Sequence, residues 1–416
     1  MHTDSPFAIR ATGLPDSPAE LDIWYKPVPA SSNRALAILE AAKLYIPPAN
    51  GSDPRRRLFG SAAPRSLSSN DVALVETILT NNQSVFPLLH QCAELPESRY
   101  PINLSQGPST RLPHLANVIS LVELLLLDAL FQSYQTNIAN AVRSLNAAFA
   151  VADSLRNEPL LVSGDVRMQA VRQAVAVLSR LLSERQLTQD QLDSIGQSLA
   201  VAEETGKHEL LRGLVGDRAC DVTVFAMTFS EIEQIEPAGF LSSDGLLQPV
   251  AFQLYRASGI RQRDFSCYLQ VMDEFIAAAK LDLPASLKEF ERAETDLSDR
   301  LAQRLGRFAV LSRNLLIPLG KAGLKEANST AILRSARVAL AIEKFRLAHG
   351  SSLPSNLDDL APRYIHKLPA DPYDGTPLRF ERTSDKGYKV FAAGAVAANR
   401  TYHSPNATNL SFVVHR

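Results

Sequence analysis

The sequence predicts a mainly α-helical protein that ends in a small α+β unit with a three-stranded antiparallel sheet. Between residues 33 and 319, apolar side chains recur at helical spacing, and short breaks with capping residues separate the helices. After residue 328 the pattern changes, because 378–382, 388–392 and 410–414 have strand composition. Short connections between helices favour antiparallel neighbours, so we expect stacked helical hairpins, either tetratricopeptide-like or in a bundle.

The amino-acid composition excludes several classes of protein. The 416 residues are 45% hydrophobic and 21% charged, as in an ordinary folded chain. Lys and Arg number 43 against 44 Asp and Glu, so the net charge of −1 gives no field that attracts nucleic acid. The three cysteines, Cys92, Cys220 and Cys267, are widely spaced and indicate neither a zinc site nor a disulfide framework.

The chain divides into three segments. Residues 1–32 contain several prolines and little periodicity, so we expect an extended leader on the surface, held there by Trp24 and Tyr25. Residues 33–327 form the helical body, and residues 328–416 form the α+β tail.

The helical body begins at Asn33, a good capping residue, and its first helix stops before Pro47 and Pro48. The following stretch, 48–69, reads as a loop that carries the basic residues Arg55 to Arg57, which we expect to be solvated. Ser69 and Asn70 are placed to cap the next helix. We expect helices at about 33–45, 69–95, 110–134, 137–156, 160–184, 188–205 and 207–227.

The most apolar segment, Val118 to Phe131, contains Glu123 and Asp128 and is shorter than the roughly 20 residues that cross a bilayer. It predicts a buried core helix. Residues 1–10 lack the apolar centre of a secretory signal, so as given we expect the chain to be neither exported by that route nor anchored. A fragment that starts after a removed anchor would look the same.

Residues 228–265 are less regular than the segments on either side. Prolines and glycines break the pattern into loops and short helices, and a groove is expected here. Helices resume at about 265–280 and 284–305, and a third runs towards Leu319.

The tail opens with Ser329 and Thr330 as caps of a helix over 331–349, and Gly350 fits a left-handed stop. A short helix follows Pro354, and turn residues at 384–387 predict a hairpin between the first two strands. We interpret Asp371 and Asp374 as turn-forming residues that bond their own backbone.

Four segments of the tail resemble the globular end of the type II secretion major pseudopilin. These segments are AIEKFRLAHG (341–350), LPSNLDDLAPRY (353–364), LPADPYDGTPLRF (368–380) and GYKVFAAG (387–394). Similar tails close uncharacterised helical proteins of planctomycetes and verrucomicrobia, and the body is also similar to theirs at 20–29, 102–115 and 155–163. The resemblance implies a membrane anchor, a helical body and a pilin-like ending, and it implies no activity.

Two departures from the pseudopilins change what the resemblance implies. Those proteins bind calcium through acidic residues before the last strand, but 395–409 contains no Asp or Glu, so we expect no calcium there. A pilin also assembles through an N-terminal hydrophobic helix, whereas here the whole helical body precedes the corresponding helix. We therefore expect no assembly into a filament.

The sequence offers little catalytic chemistry. It contains no phosphate-binding loop, dinucleotide-binding turn, H-E-x-x-H helix or G-x-S-x-G elbow, and its eight histidines include no pair at i, i+4. One hypothesis joins His114, Glu123 and Asp128, because buried carboxylates on an apolar helix mark a cleft. Ordinary surface charges or a satisfied polar contact explain the set more simply.

The sequence alone therefore favours a non-enzymatic interaction or scaffold protein of the bacterial cell envelope, with a protein or peptide partner, no nucleic acid and no cofactor. The alternative is a hydrolase-type enzyme with a site between the helical body and 228–265, where His208 or Cys220 would line a deep pocket. Localisation depends on the anchor: envelope or periplasm if the native chain has one, and cytoplasm otherwise.

Overall fold

The structure, a computed structural model, describes residues 13–49, 53–59, 67–235, 249–302, 309–319, 321–393 and 411–416. Within these ranges the chain is mainly helical and has a small antiparallel sheet near its end, which confirms the predicted fold class. The helices of the first half are α1 (Pro18–Trp24), α2 (Arg34–Leu44), α3 (Arg55–Leu58), α4 (Ser69–Asn81), α5 (Phe86–Cys92), α6 (His114–Tyr134), α7 (Ile138–Asp153), α8 (Leu161–Glu184), α9 (Gln189–Gly206) and α10 (Glu209–Asp221). Those of the second half are α11 (Phe229–Ile235), α12 (Pro249–Ala257), α13 (Ile260–Ala279), α14 (Ala285–Ala302), α15 (Leu311–Leu316) and α16 (Ala322–Ala348), and the strands are β1 (Arg379–Arg382), β2 (Tyr388–Phe391) and β3 (Ser411–Val414).

The larger core is built around the hairpin of α6 and α7. Three residues join these helices, so they run antiparallel and pack along their length. Buried alanines on α7, including Ala141 and Ala148, allow α6 to approach closely. Residues of α2, α4, α5, α8, α9 and α16 complete this core.

Among the described residues, one helix, α6, is long and apolar enough to span a membrane by length and composition. In the structure 72% of its most apolar window is buried inside the protein. The apolar segment is therefore a core helix, as its length and its charged residues predict.

A second core lies between α10, α12, α13, α14 and α15 and is rich in aromatic side chains. The ring of Phe225 lies 5.1 Å from that of Phe265, and Phe275 stacks on Phe290 with ring centres 5.5 Å apart. The described part of 228–265 forms α11, α12 and the start of α13, which begins earlier than predicted. Residues 236–248 lie outside the described ranges.

The predicted extended leader is wrong for its described part, because residues 18–24 form α1. Ser17 caps this helix by accepting a hydrogen bond from the Glu20 N–H, and Pro18 occupies the first turn, where its missing N–H costs nothing. Leu21 and Tyr25 are buried, whereas Trp24 is only partly buried, so Tyr25 anchors the segment more firmly than Trp24.

The predicted loop over 48–69 contains a short helix, α3, which carries the basic residues. Arg55 pairs with Asp53 at 2.7 Å and with Glu123 at 3.2 Å, and Arg57 pairs with Asp71. These two arginines therefore bind acidic side chains of the protein itself, which corrects the expectation that they are only solvated.

The predicted caps of two helices are wrong. Ser68, not Ser69, caps α4 in a capping box with Asp71. The helix expected from residue 331 begins at Ala322, so Ser329 lies inside α16, where its hydroxyl contacts Met168. A serine in a helix can hold a tertiary contact as well as a cap, and the sequence does not distinguish the two.

The tail packs onto the body. Strand β2 is central, with Arg379 opposite Phe391 and Tyr388 opposite Val414. One face of the sheet is buried against α16 and α8, and the buried residues of the strands belong to the larger core of the body. The Ser179 hydroxyl donates to the Val413 carbonyl, which ties β3 to α8.

The turn before the hairpin is formed as predicted. The Asp371 carboxylate accepts the Tyr373 N–H at 2.9 Å, and Asp374 accepts the Thr376 N–H at 2.8 Å. Gly375 has a φ of +76°, a conformation that glycine adopts without strain. The stretch 395–409, where the pseudopilins bind calcium, lies outside the described residues.

Candidate functional site

A cavity of about 250 Å³ lies beside the second, aromatic-rich core. Its walls come from the start of α8, the end of α9, α10 and the segment that enters α16. None of the described residues in 228–265 lines it, so the cavity is not at the predicted position of a groove. The lining residues are Leu161, Val162, Gly164, Asp165, Met168, Gly206, Glu209, Leu210, Asp217, Leu319, Ala322, Lys325 and Glu326.

Glycines on α10 allow this helix to approach the start of α8. A Cβ added at Gly213 would lie 2.7 Å from the Leu161 side chain, and one at Gly216 would overlap the Pro159 carbonyl oxygen. The close packing brings the Asp217 carboxyl to within 3.2 Å of the Leu161 N–H, which donates to it. Asp217 thus caps the first turn of α8 from a neighbouring helix.

Asp217 and Asp221 lie one helical turn apart on α10 and have no cation bound to them among the described residues. Burial raises the pKa of Asp217 to about 7. The hydrogen bond from Leu161 lowers this pKa, and the charge of Asp165 raises it further. Burial also raises the pKa of Asp221 well above its ordinary value, although the Tyr268 hydroxyl donates to it at 3.1 Å.

Glu209 is held against the wall of the cavity by Arg167. One carboxylate oxygen, Oε2, lies 2.8 Å from Arg167 Nη1, and the other, Oε1, is buried without a hydrogen-bond partner among the described residues. Burial raises the pKa of Glu209, and the charge of Arg167 opposes this rise. A buried acceptor without a donor is uncommon in folded proteins and marks a place where a ligand or water donates.

Glu326 faces the same cavity from a position near the start of α16. No hydrogen bond or ion pair to its carboxyl occurs within the described part of the chain. Burial, followed by the nearby charge of Glu209, raises the pKa of Glu326 to about 8. At neutral pH this carboxyl is therefore mostly protonated.

The cavity opens to solvent at an ion pair. Lys325 Nζ lies 2.7 Å from Asp165 Oδ2, and each side chain is 47% exposed. Val162 is 48% exposed beside them, so the rim combines one apolar and two charged side chains.

The residues of the sequence hypothesis are not brought together. His114 pairs with Glu158 at 2.9 Å in a buried contact. Glu123 pairs with Arg55 and accepts from Gln173, while Asp128 accepts from Gln132 and Ser144 in another part of α6. The three are separate satisfied contacts, which is the simpler of the two interpretations.

His208 and Cys220 do not line the cavity. His208 is exposed at the start of α10, and Cys220 is buried in a small cluster with Leu21 and Tyr25. All three cysteines are free thiols, and burial raises the pKa of Cys92 to about 12. Across the described ranges, no group of three or more His, Cys, Asp or Glu side chains is placed to hold a metal ion.

Sequence reasoning missed all four acids of the cavity. Asp165, Glu209, Asp217 and Glu326 come from three helices far apart in the sequence, so no local motif joins them. A partial signal exists in α10, where Asp217 follows the small residues Gly213 and Gly216 on a face that packs closely against α8.

Comparison of the chain with protein-family models, with curated proteins and with solved structures gives no match. The chemistry of the cavity is therefore the basis for the function proposed below.

Proposed function

We propose that the chain is a non-enzymatic binding protein whose cavity binds a cationic group carried on an apolar stem. The observation that carries the proposal is a mismatch of charges in the cavity wall. Arg167 compensates Glu209, and Lys325 compensates Asp165, but Asp217 and Glu326 have no cation. We call these four carboxyls the acidic set.

The acidic set is suited to a cation because two of its members, Asp217 and Glu326, are harder to ionise than they are in water. Asp217 and Glu326 are buried and have no counter-charge, so their pKa values rise to about 7 and about 8. An ammonium or guanidinium ion supplies both the missing charge and the missing donors, including one for Glu209 Oε1. Hydrogen bonds between ionised partners are about twice as strong as neutral ones.

The apolar lining sets the shape of the ligand. Leu161, Met168, Leu210 and Leu319 cover much of the wall, so a bare inorganic cation would leave it without contacts. A cavity of roughly 150 Å³ is enough to hold benzene. The 250 Å³ found here therefore suits a chain of about four or five carbons with its ammonium group, either a free amine or the side chain of a basic residue in a peptide.

A binding role is favoured over nucleophilic hydrolysis by the residue types present. The described residues that line the cavity include no Ser, Thr, Cys or His. Hydrolysis of the serine or cysteine type requires such a nucleophile with a base beside it, so these lining residues do not support that route.

One observation favours an enzyme as the second candidate. The pKa of Asp217, about 7, is matched to general acid or base catalysis at neutral pH. A hydrolase of this kind would work at the cavity rather than at 228–265. It predicts turnover of a cationic ester or amide, with loss of that activity in Asp217→Asn.

The envelope location and the protein or peptide partner come from the resemblance of the tail to a pseudopilin and stay predictions. Fractionation of source cells with an antibody against the 416-residue chain tests the location. Recovery in the envelope fraction supports it, and recovery only with cytosolic markers contradicts it.

Titration calorimetry tests the binding proposal. The probes are pentylamine, whose pKa near that of lysine, about 10.4, keeps it cationic, together with neutral pentan-1-ol and anionic pentanoate. We expect pentylamine to bind at least about tenfold more tightly than the other two, because one unmatched buried charge contributes more than about 1.4 kcal/mol. A capped tripeptide with a central lysine distinguishes a peptide side chain from a free amine as the source of the cation.

Two variants complete this experiment. Glu326→Gln removes one member of the acidic set and is expected to weaken pentylamine binding about tenfold. Glu94→Gln makes the same chemical change at an exposed position outside the cavity and is expected to change nothing. Equal binding of pentylamine and pentan-1-ol, or no effect of Glu326→Gln, would reject the proposal.

A further inference from the structure

The rim of the cavity already contains an ammonium ion of the protein. Lys325 is the one cationic side chain among the described lining residues, and its Nζ lies 2.7 Å from Asp165 Oδ2. Lys325 lies in the first turn of α16 and Asp165 lies near the start of α8, so the ion pair bridges the mouth between two helices. Lys325 thus occupies a position that a second cationic group of a ligand would need.

We infer that Lys325 determines charge specificity at this site, excluding ligands with two cationic groups by holding Asp165 and admitting ligands with one. This inference rests on the proposed function. A ligand of about five carbons with one ammonium ion places it deep, at Glu209 and Glu326, and leaves the Lys325 pair intact. A diamine of the same length brings its second ammonium ion to the rim, where it must displace Lys325 or lie beside it.

Because the ion pair is exposed, an ammonium ion of a ligand can take the place of Lys325 at Asp165. Both side chains are 47% exposed and remain hydrated, so the pair adds little to the stability of the fold. The pair affects a ligand more than it affects folding. The second ammonium ion of a diamine is repelled by the Lys325 ammonium ion and finds Asp165 already paired. Substitution of Lys325 by a neutral residue leaves Asp165 available to the ligand and also removes the repulsion between the two ammonium ions.

A second feature supports the assignment. Glu326, the next residue, points into the cavity without a partner among the described residues, whereas Lys325 satisfies Asp165 at the rim. Near the start of α16, Glu326 therefore presents an unpaired carboxyl to the inside of the cavity, while Lys325 holds the Asp165 carboxyl of α8 at the mouth. This arrangement accepts one positive charge from a ligand before any protein contact has to break.

The experiment compares pentylamine with 1,5-diaminopentane by titration calorimetry in the wild type, Lys325→Met and Lys321→Met. Methionine retains the unbranched stem and the helix propensity of lysine, and Lys321 is an exposed lysine at the start of the same helix outside the cavity lining. In Lys325→Met we expect the affinity for the diamine to rise about five- to tenfold and that for pentylamine about twofold or less. Lys321→Met is expected to leave the ratio of the two affinities unchanged.

The outcomes separate the two proposals. If neither probe binds to the wild type or to Lys325→Met, the proposed function fails. If pentylamine binds to the wild type but the diamine-to-monoamine ratio is the same in Lys325→Met, the role of Lys325 fails alone. Lys325→Gln, which also removes the charge, must reproduce the shift of Lys325→Met, and a shift in only one of them would also overturn the inference.

Discussion

Arg167 Nη1 lies 2.8 Å from Glu209 Oε2, and the two side chains are only 2% and 11% exposed. The pair joins α8 to α10 directly behind the cavity, and Arg167 also donates to the Ala202 carbonyl of α9 at 3.0 Å. It therefore fixes three helices of the cavity wall and leaves the second oxygen of Glu209 without a donor among the described residues.

Arg167→Met tests this pair. The substitution leaves Glu209 buried next to an apolar side chain, and breaking a buried ion pair by removing one partner costs about 3–5 kcal/mol. We expect the free energy of unfolding in urea to fall by that amount. Lys43→Met removes an exposed pair with Glu40 and should leave stability nearly unchanged. A loss below about 1 kcal/mol in Arg167→Met would show that the pair does not support the wall.

The pH dependence of stability tests the environment of Glu326. Its pKa is about 8 in the folded protein and 4.5 in the unfolded chain, so between these values the folded state holds a proton that the unfolded state has lost. The contribution of Glu326 to stability is therefore most favourable below pH 4.5 and falls as the pH rises to 8. Glu326→Gln lacks this titration, so we expect the variant to gain stability relative to the wild type from pH 5 to pH 8.

Urea unfolding at pH 5, 6.5 and 8 measures this difference, with Glu94→Gln as the exposed control. Parallel stability curves for the wild type and Glu326→Gln would mean that Glu326 ionises as it does in water.

Gly216→Ala tests the close contact that places Asp217. A Cβ at this position overlaps the backbone carbonyl of Pro159, which cannot move aside as a side chain can. Forcing extra atoms into a packed interface costs about 1–3 kcal/mol, and we expect at least that loss together with weaker pentylamine binding. Gly196→Ala makes the same change inside α9, where the nearest atom lies 3.8 Å away. It should stabilise the protein by about 0.5–1 kcal/mol, and similar effects of the two substitutions would contradict the contact.

The packing of the tail predicts that the fragment 322–416 does not fold alone. The sheet buries Val390 and Phe412 in a core that also contains residues of α6, α7 and α8. Without the body, these side chains lose most of their apolar contacts. We expect the isolated fragment to give a poorly dispersed amide NMR spectrum, whereas a well-dispersed spectrum would show that the tail is an independent unit.

Local sequence signals predicted most of the helices and all three strands, because periodicity, caps and turns act over a few residues. Asn33 caps α2 and Thr188 caps α9 as the sequence indicates. The errors arose where a tertiary contact competes with a local rule. Residues 18–24 of the predicted leader form a helix whose Leu21 is buried in a core, and Ser329 lies inside α16 rather than at its start.

The cavity was beyond the reach of local signals. Glu209 and Glu326 are separated by more than a hundred residues, and each reads as an ordinary helix-surface acid. Burial raises the pKa of both residues, and the charge of Glu209 adds to the rise at Glu326, so the shifts depend on how α10 and α16 meet. His114 and Asp128 are the opposite case. They lie on the same apolar helix, but the structure gives each of them a different partner.

A crystal structure of the protein with bound pentylamine tests whether the cavity binds a cation. We expect the ammonium nitrogen to lie within about 3 Å of carboxyl oxygens of Glu209 and Glu326. The alkyl chain should extend along Leu161 and Leu210 towards the mouth, with the Lys325 and Asp165 pair unbroken. An empty cavity at saturating amine, or an amine bound with its alkyl end inward and its nitrogen in solvent, would contradict the account.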